Sequence, residues 1–179
     1  MIDLKSPFSI TFFTKGLVFI CLFFFWGNSV ISQNTLVPEN IQAALLSKVL
    51  KFNPDLPQNT TIKMLVVYDN NSEINKDKFI KGLGNSMSVK AINPMELKQN
   101  ISGYNVVYFM SGIYDYAGVC KANKVLSVTG SAQYVEQGEI SLGFGIQNNK
   151  PKILVNLTSL DKEGQSFSSD ILRIAKIFN

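Results

Sequence analysis

The sequence predicts an α/β fold: a single three-layer domain with a mixed, mostly parallel sheet, a C-terminal β-hairpin and helices on both faces. Three observations carry this. Short apolar runs rich in β-branched residues (IKMLVVYD at 62–69, YNVVYFMS at 104–111, VLSVTGS at 125–131) alternate with segments of helical period. Alternation of that kind argues for βαβ units around a parallel sheet. Near the C-terminus the period changes to two, over Ile140, Leu142, Phe144 and Ile146 and again over Ile153, Val155 and Leu157, around the polar turn QNNKP. Two such runs about a short turn are a β-hairpin.

The first helix is expected from Glu39 to Phe52. Ile41, Ala44, Leu45, Lys48, Val49 and Phe52 fall at 3.6-residue spacing, with Leu46 and Leu50 widening the apolar face. Pro38 suits the helix entry and Asn53-Pro54 the exit. Residues 55–61 read as loop, 62–69 as the first buried strand, and the DNNS that follows as a turn. Ile74, Phe79, Ile80 and Leu83 predict an amphipathic helix over 74–84, ended by Gly82 or Gly84. MSVKAIN (87–93) reads as a strand and PMELKQNI (94–101) as a helical turn opened by Pro94. Residues 113–124 are helical or irregular, and Tyr134 to Gly138 form a turn before the hairpin. Ile171, Ile174, Ala175 and Phe178 predict a helix running to the end of the chain, capped by Ser168 or Ser169 with Asp170 in its first turn.

Composition restricts the chemistry. The 179 residues contain no His, so Ser-His-Asp triads, Cys-His dyads and His-containing zinc sites are excluded. Two cysteines cannot form a four-thiolate centre. The leader carries Asp3, Lys5 and Lys15, then ten unbroken apolar residues at 17–26, then Gly27-Asn28 and Ser32. A polar n-region, a short apolar core and a small exit residue describe a secretory signal peptide over 1–32, cleaved near Ser32. The domain then comprises 33–179, which keeps Cys120 alone and a net charge of +3 with no basic run longer than two. That distribution does not predict nucleic-acid binding.

Several residues can be read for function. Ser141, Gly143 and Gly145 form a bare strip for a partner's backbone or for the chain's own helix; the latter is favoured. Asn156 reads as a cap or turn residue beside a Thr158–Asp161 capping box rather than a ligand contact. Ser168-Ser169-Asp170 reads as a helix start, since no base accompanies the hydroxyls. Asp69-Asn70-Asn71 follow the first strand, where open α/β sheets place ligands, although turn chemistry also accounts for them. Glu136 and Glu139 read as a solvated turn, and Tyr104, Tyr108, Tyr114, Tyr116 and Tyr134 are candidates for a partner surface or the core. No catalytic, cofactor-binding or metal-binding residue is assigned, and no cofactor is expected.

The pieces Leu126-Ser127-Val128, Val135 to Gly138, Ile140 to Phe144, Val155-Asn156-Leu157, Ser168-Ser169 and Ile171-Leu172-Arg173-Ile174-Ala175 occur in the order found in the YfiR family of exported bacterial proteins. IQAALLSKVLKF (41–52) resembles that family's opening helix and IKMLVVYD its first strand. The resemblance implies a periplasmic α/β domain without known catalysis, forming homodimers. It also implies action on a membrane signalling protein, through the periplasmic part of a diguanylate cyclase or a sensor kinase. Studied relatives carry disulfide-forming cysteines; a chain with Cys120 alone cannot form an intrachain bridge. Cys120 is expected to be a buried inert thiol, with pairing between two chains as the alternative. The competing functional reading is a periplasmic small-ligand domain with a polar pocket near Asp69 and Ser111; an enzyme is the weakest reading.

Export fixes one measurable quantity. Protein recovered from the periplasm of an expressing bacterium should begin near Gln33 by N-terminal sequencing or intact mass; a chain that keeps residues 1–32 contradicts cleavage.

Overall fold

The structure is a computed structural model that describes residues 36–179; the expected signal peptide lies outside the described residues. Within them the strands form a seven-stranded sheet in the order β2-β1-β3-β4-β5-β6-β7. The strands are β1 (Lys63–Val67), β2 (Ser88–Ile92), β3 (Val106–Phe109), β4 (Leu126–Thr129), β5 (Leu142–Gln147), β6 (Lys150–Asn156) and β7 (Lys176–Phe178). The pairs are parallel except β5–β6, which is antiparallel. The helices are α1 (Glu39–Val49), α2 (Glu73–Leu83), α3 (Leu97–Asn100), α4 (Ala117–Asn123), α5 (Ala132–Glu136), α6 (Leu157–Lys162) and α7 (Ser169–Ile174). The expected α/β class, mostly parallel sheet, C-terminal hairpin and helices on both faces are all present.

Side-chain alternation assigns the two faces. Tyr108, Val128 and Leu142 are register partners on one face, and Phe109, Thr129 and Gly143 on the other. Phe79 of α2 stacks on Tyr108 at 3.8 Å, and Gln42 of α1 bonds the Tyr108 hydroxyl, so α1 and α2 cover the first face. Val135 of α5 lies against Gly143 on the second face. All four residues of β3 and of β4 are buried, as strands covered from both sides must be.

The hairpin turn is Asn148-Asn149, with φ of 51° and 58°. Two consecutive positive φ values match the right-handed twist of the strands, and Asn tolerates them. The register runs from Leu142↔Val155 to Gln147↔Lys150.

Three sequence expectations are corrected. The buried stripe of α1 is Gln42, Ala43, Leu46 and Val49, continued by Leu50. Ile41, Ala44, Lys48 and Phe52, expected on the apolar face, are exposed. The helix is rotated because Gln42 is drawn inward: its Nε2 donates to Val37 O at 2.5 Å and its Oε1 accepts from the Tyr108 hydroxyl. Ala43 meets Gly82 of α2, where an added Cβ would stand 2.9 Å from the Ala43 Cβ. The Tyr134–Gly138 stretch contributes to helix α5, because the parallel step from β4 to β5 needs a crossover. The terminal helix stops at Ile174. Ala175 is extended (ψ 162°), and Lys176–Phe178 pair with Leu154–Asn156. The outer edge of β6 offers unpaired backbone groups, and satisfying them outweighs continuing the helix.

Gly130 leaves room for the Gln42 side chain: a Cβ there would lie 2.2 Å from Oε1 and 2.5 Å from Nε2. Gly130→Ala should therefore break the Val37–Gln42–Tyr108 chain and lower stability by about 1–3 kcal/mol. Urea denaturation should show a lower midpoint at an unchanged slope; an unchanged midpoint contradicts this packing.

Candidate functional site

From β1 the chain steps outward to β2, then crosses back to β3 on the other side of β1. The sheet order therefore reverses between β1 and β3, the position at which open α/β sheets leave a crevice beyond their strand C-termini. A cleft of ≈ 470 Å³ lies there. Asp69 enters it after β1, Asn93 to Glu96 after β2, and Gly112 to Tyr116 after β3.

Each loop is held from below. Asp69 and Ser72 form a closed turn: the Ser72 N–H and hydroxyl donate to Asp69 Oδ1 at 3.0 and 2.6 Å, and Asp69 N–H donates to Ser72 Oγ at 3.0 Å. The hydroxyl bond from Ser72 holds the Asp69 carboxyl below its ordinary pKa, against a smaller opposing effect of burial. Pro94 opens the one-turn 3₁₀ helix Pro94–Glu96, and Leu97 at its end is buried. Gly112 takes a positive φ of 88°, which turns the chain out of β3, and Ile113 is buried beneath the next residues. Tyr114 then stacks on Tyr134 at 4.2 Å, and burial raises the Tyr134 phenol above its usual pKa.

The lining combines three carboxylates (Asp69, Glu96 and Asp115) with Tyr114, Tyr116, Met95 and Ile113, and holds no basic residue. Met95 is 85% exposed. The arrangement suits a small ligand with a cationic group and an apolar body, the cation answering the carboxylates and the body lying on the tyrosine faces. Among the described residues no group of three or more His, Cys, Asp or Glu is placed to hold a metal.

The sequence candidates divide. Asp69 serves both the turn and the cleft. Ser111 does not line the cleft; its hydroxyl lies 3.5 Å from that of Ser131. Of the tyrosines, Tyr114 and Tyr116 line the cleft, Tyr134 buttresses it, Tyr108 is core and Tyr104 packs partly buried against the core. The Gly143–Gly145 strip belongs to the chain's own helix. A Cβ at 143 would stand 2.6 Å from Val135 Cγ2, and one at 145 would stand 3.0 Å from Leu154 Cδ1 of β6 and 3.4 Å from Ala132 Cβ. Asn156 caps α6: Oδ1 accepts from Ser159 N–H at 2.9 Å, and Nδ2 donates to Val135 O at 3.1 Å. The Thr158–Asp161 box takes no part in that cap. Glu136 pairs with Lys176 at 3.4 Å and Glu139 is exposed, so neither sits in a shielded site. Ser168 begins α7, and Asp170 pairs with Arg173 at 3.3 Å on the surface.

Met95 and the Asn93–Glu96 turn went unread as site residues, because their pattern is that of a helix start and only the strand order brings them to β3. A second feature was also missed. Glu163, at the end of the polar TSLDKEG helix, is fully buried and bonded to Ser127.

Cys120 is buried. Burial pushes its thiol well above the ordinary pKa, Glu163 adds to the rise and Lys121 opposes it. Native protein should therefore resist thiol reagents, reacting at least ~100-fold more slowly than in denaturant, and should run as a monomer on non-reducing gels. Rapid labelling of the folded protein contradicts the burial.

Residues 39–176 match the protein family described as YfiR/HmsC-like. No curated protein matches the chain. Two solved structures are similar in fold. One is the ABC domain in complex with L-Trp from Streptococcus pneumonia, with 12% identity, a TM-score of 0.59, and coverage of 79% of this chain and 60% of that one. The other is a conserved domain protein from Vibrio cholerae O1, with 13% identity, a TM-score of 0.58 and the same coverage. The chain spans only 60% of either neighbour's length, and at these identities the likeness is one of fold. The family match covers most of the chain and includes both the sheet and the cleft-forming loops; the chain belongs to the YfiR/HmsC-like family.

Proposed function

We propose that the chain is an exported, non-enzymatic regulator whose residues 33–179 work in the periplasm, after loss of a leader over 1–32. It acts by protein contact, as a homodimer, on the periplasmic part of a membrane signalling protein such as a diguanylate cyclase or a sensor kinase. The family match over 39–176 carries this reading. The absence of His from the whole chain is in keeping with it, since the commonest general acid–base is missing. Mechanistically, the regulator holds its partner in one state by binding that state more tightly. A shift from 1:99 to 99:1 requires about 5.5 kcal/mol of differential affinity, within reach of an ordinary protein interface.

Deleting the gene should change cyclic dinucleotide levels or kinase output. A photo-crosslinker placed on the exposed face, for example at Ile74 (72% exposed), should capture a membrane signalling protein in cells. Unchanged signalling together with capture of no membrane partner contradicts the proposal.

The cleft supports a second reading, a small-ligand domain. It lies at the strand-order reversal, where α/β folds bind ligands, and the neighbour from Streptococcus pneumonia is described in complex with L-Trp. Benzylammonium added to labelled protein should shift the backbone amides of 95–96 and 112–116 at millimolar concentration, while benzoate leaves them in place. Equal shifts from both probes, or none from either, contradict a cation-selective cleft.

A further inference from the structure

Glu163 ends α6 with none of its surface exposed. Its carboxyl accepts the Ser127 N–H at 3.0 Å and the Ser127 hydroxyl at 2.5 Å. The elements packed around it supply no paired cation. On α4, Cys120 is buried, and Lys121 Nζ is committed to Gly138 O at 3.0 Å. After α4, Lys124 Nζ donates to Lys162 O at 2.9 Å. From the sheet, Ser127 on β4 bonds it and Ser141 lies close beside β5. The Ser141 N–H donates to Ser127 Oγ, and its own hydroxyl is buried without a hydrogen-bond partner. On Glu163's own helix, Asp161 and Lys162 are exposed to solvent.

A carboxylate in this setting has two good donors and no counter-ion. Ionisation there is costly, because two hydrogen bonds do not replace full hydration. Burial pushes the Glu163 carboxyl up to about 7; the Ser127 hydroxyl, the Ser141 hydroxyl at longer range and Lys121 pull it the other way. When neutral, the same group also gains an O–H that can serve the orphaned Ser141 hydroxyl.

Glu163 follows α6 and precedes the segment 164–178 that closes the domain. After it, the chain is tied back by Asn53 Nδ2 to Gln165 Oε1 at 3.0 Å, Gln165 Nε2 to Lys124 O at 3.2 Å, Ser166 Oγ to Asp55 Oδ2 at 2.6 Å, Ser168 N–H to Phe52 O at 2.9 Å, the exposed Lys176–Glu136 pair at 3.4 Å and the short ladder of β7 on β6. Phe167 and Ile171 are its buried apolar anchors, and β7 ends it as a three-residue edge strand. A segment with so few fastenings belongs to the least stable part of a fold.

We propose that Glu163 is a proton-operated latch: neutral, it keeps the segment Gly164–Phe178 seated on the sheet, and ionised, it loosens that segment while the remaining sheet stays formed. The direction follows from linkage. With the segment open, Glu163 is solvated and titrates near the ordinary glutamate value, ~4.3; closed, it titrates higher. The latch is thus fully engaged below about pH 4.3, weakens progressively up to about pH 7, and changes little above that.

Hydrogen exchange of the purified chain at pH 5 and pH 7.5, corrected for intrinsic base catalysis, tests this. The opening constant of amides in 164–178 should rise by about tenfold or more, while amides of β1 and β3 change far less. Glu163→Gln, which keeps size and hydrogen bonding but cannot ionise, should reduce the rise to less than about twofold. Should that variant fail to fold, carbon-13 NMR of the wild-type carboxyl decides alone: titration between about pH 6 and 8 supports the latch. The proposal is overturned if the carboxyl titrates below pH 5, if the segment and the central strands loosen together, or if the Gln variant keeps the full pH response.

Discussion

Burial of the central strands on both faces governs this domain, because β1, β3 and β4 can be covered only by helices that pack closely from above and below. Close approach needs small residues at the contacts. Gly82 admits Ala43 between α1 and α2, Gly130 admits the Gln42 side chain, and Gly143 admits Val135 of α5. The same covering decides the topology. To place helices on both faces, the chain must step one way from β1 and the other way from β3, and that reversal opens the cleft. The cleft is therefore a consequence of the layer arrangement rather than an addition to it.

The interior is not purely apolar, and its polar groups are nearly all satisfied by one another. Tyr108 and Gln42 link β3 to α1 and on to Val37; Asn156 links α6 to α5 through Val135 O; Ser127 links β4 to Glu163. Each contact joins elements distant in sequence, so each fixes orientation as well as adding stability. Their removal one partner at a time is expensive, because the group left behind is buried and unpaired. The Glu163–Ser127–Ser141 group differs from the other two in holding a carboxyl and an unpartnered hydroxyl. Its carboxyl is the member that the proposed latch puts under the control of proton activity.

The two ends of this architecture suit different work. The strand C-termini of β1, β2 and β3 present carboxylates, tyrosines and an exposed Met95 on loops held by turns. The C-terminal segment instead attaches to the edge of β6 through a few bonds. A regulator that answers a signal needs one surface for recognition and one element of low local stability that the signal can shift. The proposed regulatory role and the Glu163 latch are separable, since the first concerns a partner and the second a local equilibrium.

The amino-acid sequence by itself determined the α/β class, the buried strands and the hairpin, because these rest on local period: continuous apolar runs, strict alternation over 140–146 and 153–157, and Asn-Asn at positive φ. It also favoured Asn156 as a cap or turn residue and the Gly143 strip as a seat for the chain's own helix, and the structure shows the Asn156 cap and Val135 against Gly143. Tertiary structure alone decided the rest. Ile41 and Phe52 belong to a fair apolar face, but Gln42 faces inward because the Tyr108 hydroxyl, 66 positions away, needs an acceptor. The helical period reaches Phe178, but the unpaired edge of β6 draws Lys176–Phe178 into the sheet. Asp69, Met95 and Tyr114 share a cleft only through strand order, and Glu163 is buried only because the end of α6 brings it to Ser127 of β4. Local pattern encodes which face of a segment is apolar; which polar groups must find one another across the fold is set by long-range pairing, and no window of sequence contains both partners.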